Sequence, residues 1–460
     1  MNDSVAIFGT RSPSRTVAWL DGKPISAGAL LADAAALAER LPTGGQPVNL
    51  CQNRYCFAVG MVAALLRGQV SLMPPNVLPH TLRQIQQPGA HTYAMVDHAS
   101  VDIGGLPRVA CTGQGALPAI DVAPQLRFDA DAVCLMTSGS TGAPRPHPKR
   151  WGPLQLNIGA QARRLAELLQ WPSLDGLNLV ATVPPQHSYG YESSVLLALL
   201  GGAAFDAGRP FYPADIVDAL ARLARPRALV TTPFHLKTVL QSGLALPPTD
   251  LILSATAPLS PQLAARAERD FGGRLVEIYG CTEAGQVAAR RTTAGEVWTT
   301  LGDLRLRAEA SADGERFIVS GGHVLEPTPL ADVLELLDAR HFRLLGRAID
   351  IIHVAGKRSS LASLNFHLNR IDGVEDGAFW LPDDAAGEVV RTVVFVVAPT
   401  LSNRQIVSAL RQRVEPAFLP RRVVQVPALP RAPTGKLTEQ DLAAFARQTL
   451  SRSANDRGRP

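Results

Sequence analysis

The densest chemistry in this 460-residue chain sits in one stretch, Thr137-Ser138-Gly139-Ser140-Thr141-Gly142-Ala143-Pro144-Arg145, directly after the apolar run Val133–Met136. Glycines let a backbone fold close around an anion and turn its N–H groups inward. The hydroxyls add donors without adding charge, and Arg145 adds a positive one. Together these residues make a cradle for a polyphosphate. An ordinary Ser/Gly turn accounts for a lone Ser-Thr-Gly, but not for nine such residues behind a strand. The pattern is not GxxxxGK[ST], because no Gly-Lys pair closes it.

Such a cradle needs rigid elements around it. Residues 29–40 and 54–67 have helical apolar spacing. Short apolar strands follow at Val133–Met136, Leu179–Val183, Ala228–Val230, Leu251–Leu253 and Leu275–Ile278. Helical patterns at Leu156–Leu169, Ala214–Leu223 and Pro261–Phe271 alternate with them. That order predicts layered α/β subdomains with mostly parallel sheet. Beyond about Thr299 the strands are short and of mixed polarity (Leu304–Ala308, Arg316–Val319, Phe342–Leu345), which predicts a small antiparallel or barrel-like subdomain. A helix over Leu361–Arg370, a strand over Arg391–Ala398 and a helix over Ser402–Val414 predict a separate small α+β domain. The expected division is 1–346, 347–450 and a disordered tail over 451–460.

Apolar residues make up 46% and charged residues 18%, as in a folded enzyme and not a disordered chain. A formal charge of +5 without a Lys/Arg block gives no footprint for nucleic acid. Five cysteines without a CxxC pair exclude a zinc site or disulfide framework of the usual spacing. The start of the chain lacks the apolar core of a signal peptide, and runs such as Cys56–Leu66 are too short to span a bilayer. A cytoplasmic setting is the expectation.

At the hydroxyl/glycine stretch the chain resembles the adenylate-forming superfamily of acyl-CoA synthetases, aryl-acid ligases, peptide-synthetase adenylation domains and luciferases. Their phosphate loop reads TSGSTGxPK, with Arg145 here in the place of Lys. Further motifs follow in the family's order. Pro184-Pro185-Gln186-His187-Ser188-Tyr189-Gly190 resembles the acyl-pocket segment, and Ser254-Ala255-Thr256-Ala257-Pro258-Leu259 the turn beside the adenine and acyl pockets. Tyr279-Gly280-Cys281-Thr282-Glu283 matches YGxTE. Asp332 stands in the place of the ribose-binding aspartate, preceded by Leu330-Ala331 where Thr-Gly is usual. Gly346-Arg347, Asp350 and Gly356-Lys357-Arg358 resemble the hinge and the start of the C-terminal domain, and Pro433-Thr434-Gly435-Lys436 the loop with the catalytic lysine.

The resemblance implies ATP and Mg²⁺ as cofactors. It implies Glu283 as the metal ligand, a Thr282 hydroxyl on the α-phosphate, Tyr279 as an aromatic wall for adenine, and Asp332 with Arg347 on the ribose. Thr137 to Gly142 and Arg145 would hold the phosphates. Lys436 would bring a mobile cation between the substrate carboxylate and the α-phosphate, where both negative charges meet. His187, Tyr189, Glu192, Ser254, Ala255 and Thr256 would line the substrate pocket. His187 either gates that pocket or is a satisfied core histidine. Glu192 either meets a substrate amine or bonds to a loop. Ile349 stands where the hinge has Asp or Lys, and Asn365 where glutamate is common.

The implied reaction joins a carboxylic acid to AMP, releases pyrophosphate, and passes the acyl group to a thiol. The Pro184–Glu192 run is similar to ligases of aryl-polyene and xanthomonadin-type pigment pathways, which load an aromatic acid such as a hydroxybenzoate onto an acyl carrier protein. A ligase using free CoA is the alternative. A non-catalytic nucleotide-binding module is a third reading, against which Lys436 and Glu283 both stand.

Overall fold

The computed structural model describes all residues except 1–3, 87–90, 139–143, 312–313, 348–350, 355–356, 383–391, 432–436 and 456–460. An eleven-stranded sheet runs through the larger, N-terminal part. Its centre is parallel: Leu251–Ser254 lies between Arg227–Thr231 and Arg274–Cys281, and Asn178–Ala181 follows on the far side of Arg227–Thr231. These strands are buried along their whole length or nearly so, as parallel strands covered on both faces must be. A six-stranded sheet carries the phosphate segment at its edge, where Asp131–Ser138 pairs antiparallel with Pro144–Arg150.

The helices between the strands start where the sequence supplies caps. Ser260 accepts from Leu263 N at the head of Pro261–Phe271, and Gly272 ends that helix at φ +74°. Asn53 caps Arg54–Leu66 by accepting from Tyr55 N and Cys56 N. Arg54 is fully buried there and donates to the carbonyls of Ala181, Val183, Asp206 and Gly208, stitching that helix to the large sheet.

The expected separate barrel is only partly present. Arg305–Ser311, Gly314–Gly321 and Val324–Leu330 form their own three-stranded antiparallel sheet. His341–Arg347 instead pairs with Trp298–Thr300 and extends the edge of the large sheet, because Phe342 buries its ring beside Trp298 and Tyr279.

A smaller C-terminal domain has cores of its own, built from residues such as Leu364, Leu368, Phe379, Val394, Ile406 and Phe418. Its sheet joins Asp376–Trp380, Val393–Val397 and Arg422–Gln425. Asn365 acts here as a structural tie. Its Oδ1 accepts from Phe379 N at 2.5 Å and holds helix Leu361–Asn369 to the sheet. A helix over Glu439–Asn455 closes this domain, where Ala446, Leu442 and Phe445 pack its inner face onto Phe395 and Trp380.

Candidate active site

The antiparallel hairpin at the edge of the six-stranded sheet sets the site. Its register pairs Thr137 with Arg145, Leu135 with His147 and Val133 with Lys149. Side chains alternate along a strand, so Arg145, His147 and Lys149 share one face with Thr137. Thr137 Oγ1 lies 3.0 Å from His147 Nε2. Gly139, Ser140, Thr141 and Gly142 lie outside the described residues, as does the side chain of Ser138. Arg145 is exposed.

Opposite this hairpin stands the turn between Arg274–Cys281 and Gly285–Arg290, which holds Thr282 and Glu283. Glu283 Oε1 is 3.9 Å from His147 Nε2 and its side chain is 43% exposed, so the carboxylate remains open to a ligand. Lys149 Nζ donates a 2.7 Å bond to the Glu283 carbonyl. Burial pushes the His147 ring and the Lys149 amine below their usual values; neighbouring carboxylates, Glu283 for His147 and Glu192 first for Lys149, act the other way.

Tyr279 is buried on the strand before this turn, with Trp298 and Phe342 against its ring at 5.8 and 5.6 Å. Its hydroxyl donates to Asp332 Oδ2 at 2.8 Å. Asp332 opens strand Asp332–Leu336 directly opposite Arg347, so the fold brings residues 279, 332 and the backbone of 347 together. The Arg347 side chain and Lys436 lie outside the described residues.

The acyl-pocket segment follows strand Asn178–Ala181. His187 is exposed, which removes the core-histidine alternative, and Tyr189 is buried. Glu192 is the second residue of a π-helical turn, Tyr191–Leu196, a form that recurs at functional sites. Its carboxylate is 1% exposed and accepts from Ser188 Oγ at 3.0 Å and Asn157 Nδ2 at 3.2 Å. Burial drives the Glu192 carboxyl upward in pKa, opposed by the Lys149 ammonium and those donors. Ser254 and Ala255 are buried; Thr256 is exposed and held at φ +78°, a left-handed conformation that a β-branched residue rarely adopts.

Sequence reasoning missed His147, Lys149, Asn157 and His323. His323 is buried, its Nε2 is 3.1 Å from the Ala284 carbonyl, and burial brings its pKa to about 4. The alternation Arg145-x-His147-x-Lys149 after the phosphate loop was the available signal. A depression of about 710 Å³ lined by Trp171, Asp250, Glu268 and Arg291 shares no residue with these motifs. Among the described residues no cluster of three His, Cys, Asp or Glu could cage a metal. One open carboxylate beside hydroxyls fits magnesium, which is held by one or two carboxylates together with substrate phosphates.

This fold and constellation define a class. Residues 5–305 match the AMP-binding enzyme family, and the chain belongs to it. It is an AMP-forming acid–thiol ligase by class. A 4-coumarate–CoA ligase of Rhodobacter capsulatus is 31% identical over 63% of this chain and 69% of its own length. ATP-bound MatB from Rhodopseudomonas palustris superposes with a TM-score of 0.77 at 19% identity, over 95% of this chain and 97% of its own. O-succinylbenzoate coenzyme A synthetase from Bacillus subtilis, in complex with ATP and magnesium ion, gives 0.75 at 18% identity, over 94% and 97%. No described helix is long and apolar enough to cross a membrane.

Proposed function

We propose that this enzyme activates an aromatic carboxylic acid, such as a hydroxybenzoate, and loads it onto the phosphopantetheine thiol of an acyl carrier protein. The observation that carries the adenylation step is the approach of Glu283 to the phosphate hairpin, 3.9 Å from His147, with Tyr279 on the strand before that turn bonded to Asp332 on an edge strand. A carboxylate oxygen of the acid attacks the α-phosphorus of ATP, and the bond to the bridging oxygen breaks to release pyrophosphate. The acceptor thiol, losing its proton, then attacks the acyl carbon, and AMP leaves with the electron pair of the C–O bond.

Thr137 to Gly142 and Arg145 hold the phosphates in this reading, Thr282 the α-phosphate, and Asp332 with Arg347 the ribose. Magnesium, held by Glu283 and the phosphates, supplies charge neutralisation. Lys436 brings its cation from a C-terminal domain that we place at 347–450, behind an N-terminal domain of 1–346. His187, Tyr189, Glu192 and the Ser254–Thr256 turn bound the acid. The contacts of Glu192 to Ser188 and Asn157 support a carboxylate engaged with the protein over one reserved for an amine. Five free thiols support a cytoplasmic setting.

Exposed Arg404, Arg411, Arg413 and Arg421 on the C-terminal domain, with half-buried Arg422 next in sequence to Arg421, support an acidic carrier as acceptor. Arg431 is excluded from that surface by its bidentate pair with Asp376, 2.7 Å at each contact. The second reading, free CoA, is favoured by relatives named as CoA ligases. Acid-dependent ATP–pyrophosphate exchange over a panel of acids tests the first step. Mass analysis of CoA and of carrier protein after reaction tests the second. No exchange with any acid would refute adenylation, and acyl-CoA without acylated carrier would refute the carrier.

A further inference from the structure

Lys149 has no part in the reaction scheme above, yet it joins its two ends. It lies on the same hairpin face as Arg145 and His147, and its ammonium reaches the Glu283 carbonyl, 134 residues further along the chain. A lysine on a strand at the edge of a sheet has free choice of solvent; here it is drawn inward and spends a donor on a turn carbonyl. Glu192, whose charge opposes the effect of burial on the Lys149 ammonium, is itself buried and already holds donors from Ser188 and Asn157. Asn157 also packs against the turn itself: a Cβ at Gly285 would come within 2.7 Å of its Nδ2. The turn that bears Glu283 is therefore gripped from the hairpin by Lys149 and approached from the acyl side by Asn157.

We propose that Lys149 is a positioning residue for the metal-bearing turn: its ammonium fixes the Glu283 backbone at one spacing from the phosphate hairpin. This rests on the adenylate-forming reading. Groups that hold a metal's ligands in place are worth about 10–100-fold in metal affinity when removed. The sign separates this role from simple electrostatics. A nearby cation repels Mg²⁺, so charge removal alone would tighten the binding of the metal complex. Loss of the strut loosens Glu283 and weakens it.

The test is calorimetric titration with ATP in excess magnesium and again in EDTA, with no acid present and hence no turnover. The readout is the factor by which magnesium strengthens ATP binding. In Lys149→Met that factor should fall by about 10–100-fold. Lys149→Arg, which keeps charge and donor, should stay within about threefold of the unaltered enzyme. Circular dichroism and melting confirm that each variant is folded. If Lys149→Met does not fold, Lys149→Gln, too short to reach the carbonyl, gives the same two outcomes. An unchanged or larger factor in a folded variant overturns the proposal while leaving adenylation standing. An unaltered enzyme in which magnesium does nothing for ATP binding, and no acid supports exchange, overturns both.

Discussion

The Tyr279 hydroxyl and the Asp332 carboxylate meet at 2.8 Å, joining the end of a central strand to the first residue of an edge strand. If Asp332 binds the ribose hydroxyls, Tyr279 orients it. Asp332→Ala should weaken both ATP and AMP binding by roughly 1–3 kcal/mol, the range for hydrogen bonds to a charged group. Tyr279→Phe should cost less, about 0.5–1.5 kcal/mol. The double variant should lose less than the sum, because one change already removes the shared contact. Unaltered affinities in Asp332→Ala would mean the ribose binds elsewhere.

If Lys436 acts on the transition state more than on the ground state, Lys436→Ala should abolish most acid-dependent pyrophosphate exchange and leave ATP binding close to that of the unaltered enzyme. Exchange within a few-fold of the unaltered rate would remove Lys436 from the mechanism.

His323 makes the fold sensitive to acid. Its folded pKa of about 4, lowered by burial and further by Lys149, lies below the ordinary 6.5. Below pH 6.5 the unfolded chain takes up a proton that the folded one refuses, so stability falls as pH drops and levels off near pH 4. The slope is at most about 1.4 kcal/mol per pH unit and the total at most about 3.5 kcal/mol. Urea unfolding at pH 7 and pH 5 should reveal it, and His323→Gln should flatten it. An equal slope in the variant would assign the effect to other groups.

Transfer to an acidic carrier protein should fall steeply between about 0.1 and 1 M salt, as the Debye length shrinks from about 10 to 3 Å, while adenylation falls little. The Arg421→Glu/Arg422→Glu variant should show the same split at low salt. Equal salt responses for the two steps would place the acceptor's docking face elsewhere.

Much of this arrangement is legible in the sequence. Strand Arg274–Cys281 surrounds the expected Leu275–Ile278, and helix Pro261–Phe271 begins and ends at the expected residues, because its cap signals are local. The π-helical turn at Tyr191–Leu196 is not legible, since no simple apolar period marks it. The helix Glu439–Asn455 escapes a sequence reading because its Arg, Gln and Ser content hides an inner face defined only by packing on Phe395. His147 and Lys149 look like solvated strand residues until Glu283 is brought beside them from far along the chain. Local chemistry shows in a sequence; a partner supplied by topology does not.

The bond between Lys149 and Glu283 crosses 134 residues, and Tyr279 to Asp332 crosses 53. Contacts of such separation are made only after the intervening strands have been laid side by side, since the loop between them must be closed first. During refolding, backbone structure should return ahead of nucleotide binding, and the youngest chains leaving the ribosome should be folded in part before they can hold ATP. Competence to bind the nucleotide thus reports the completed large domain.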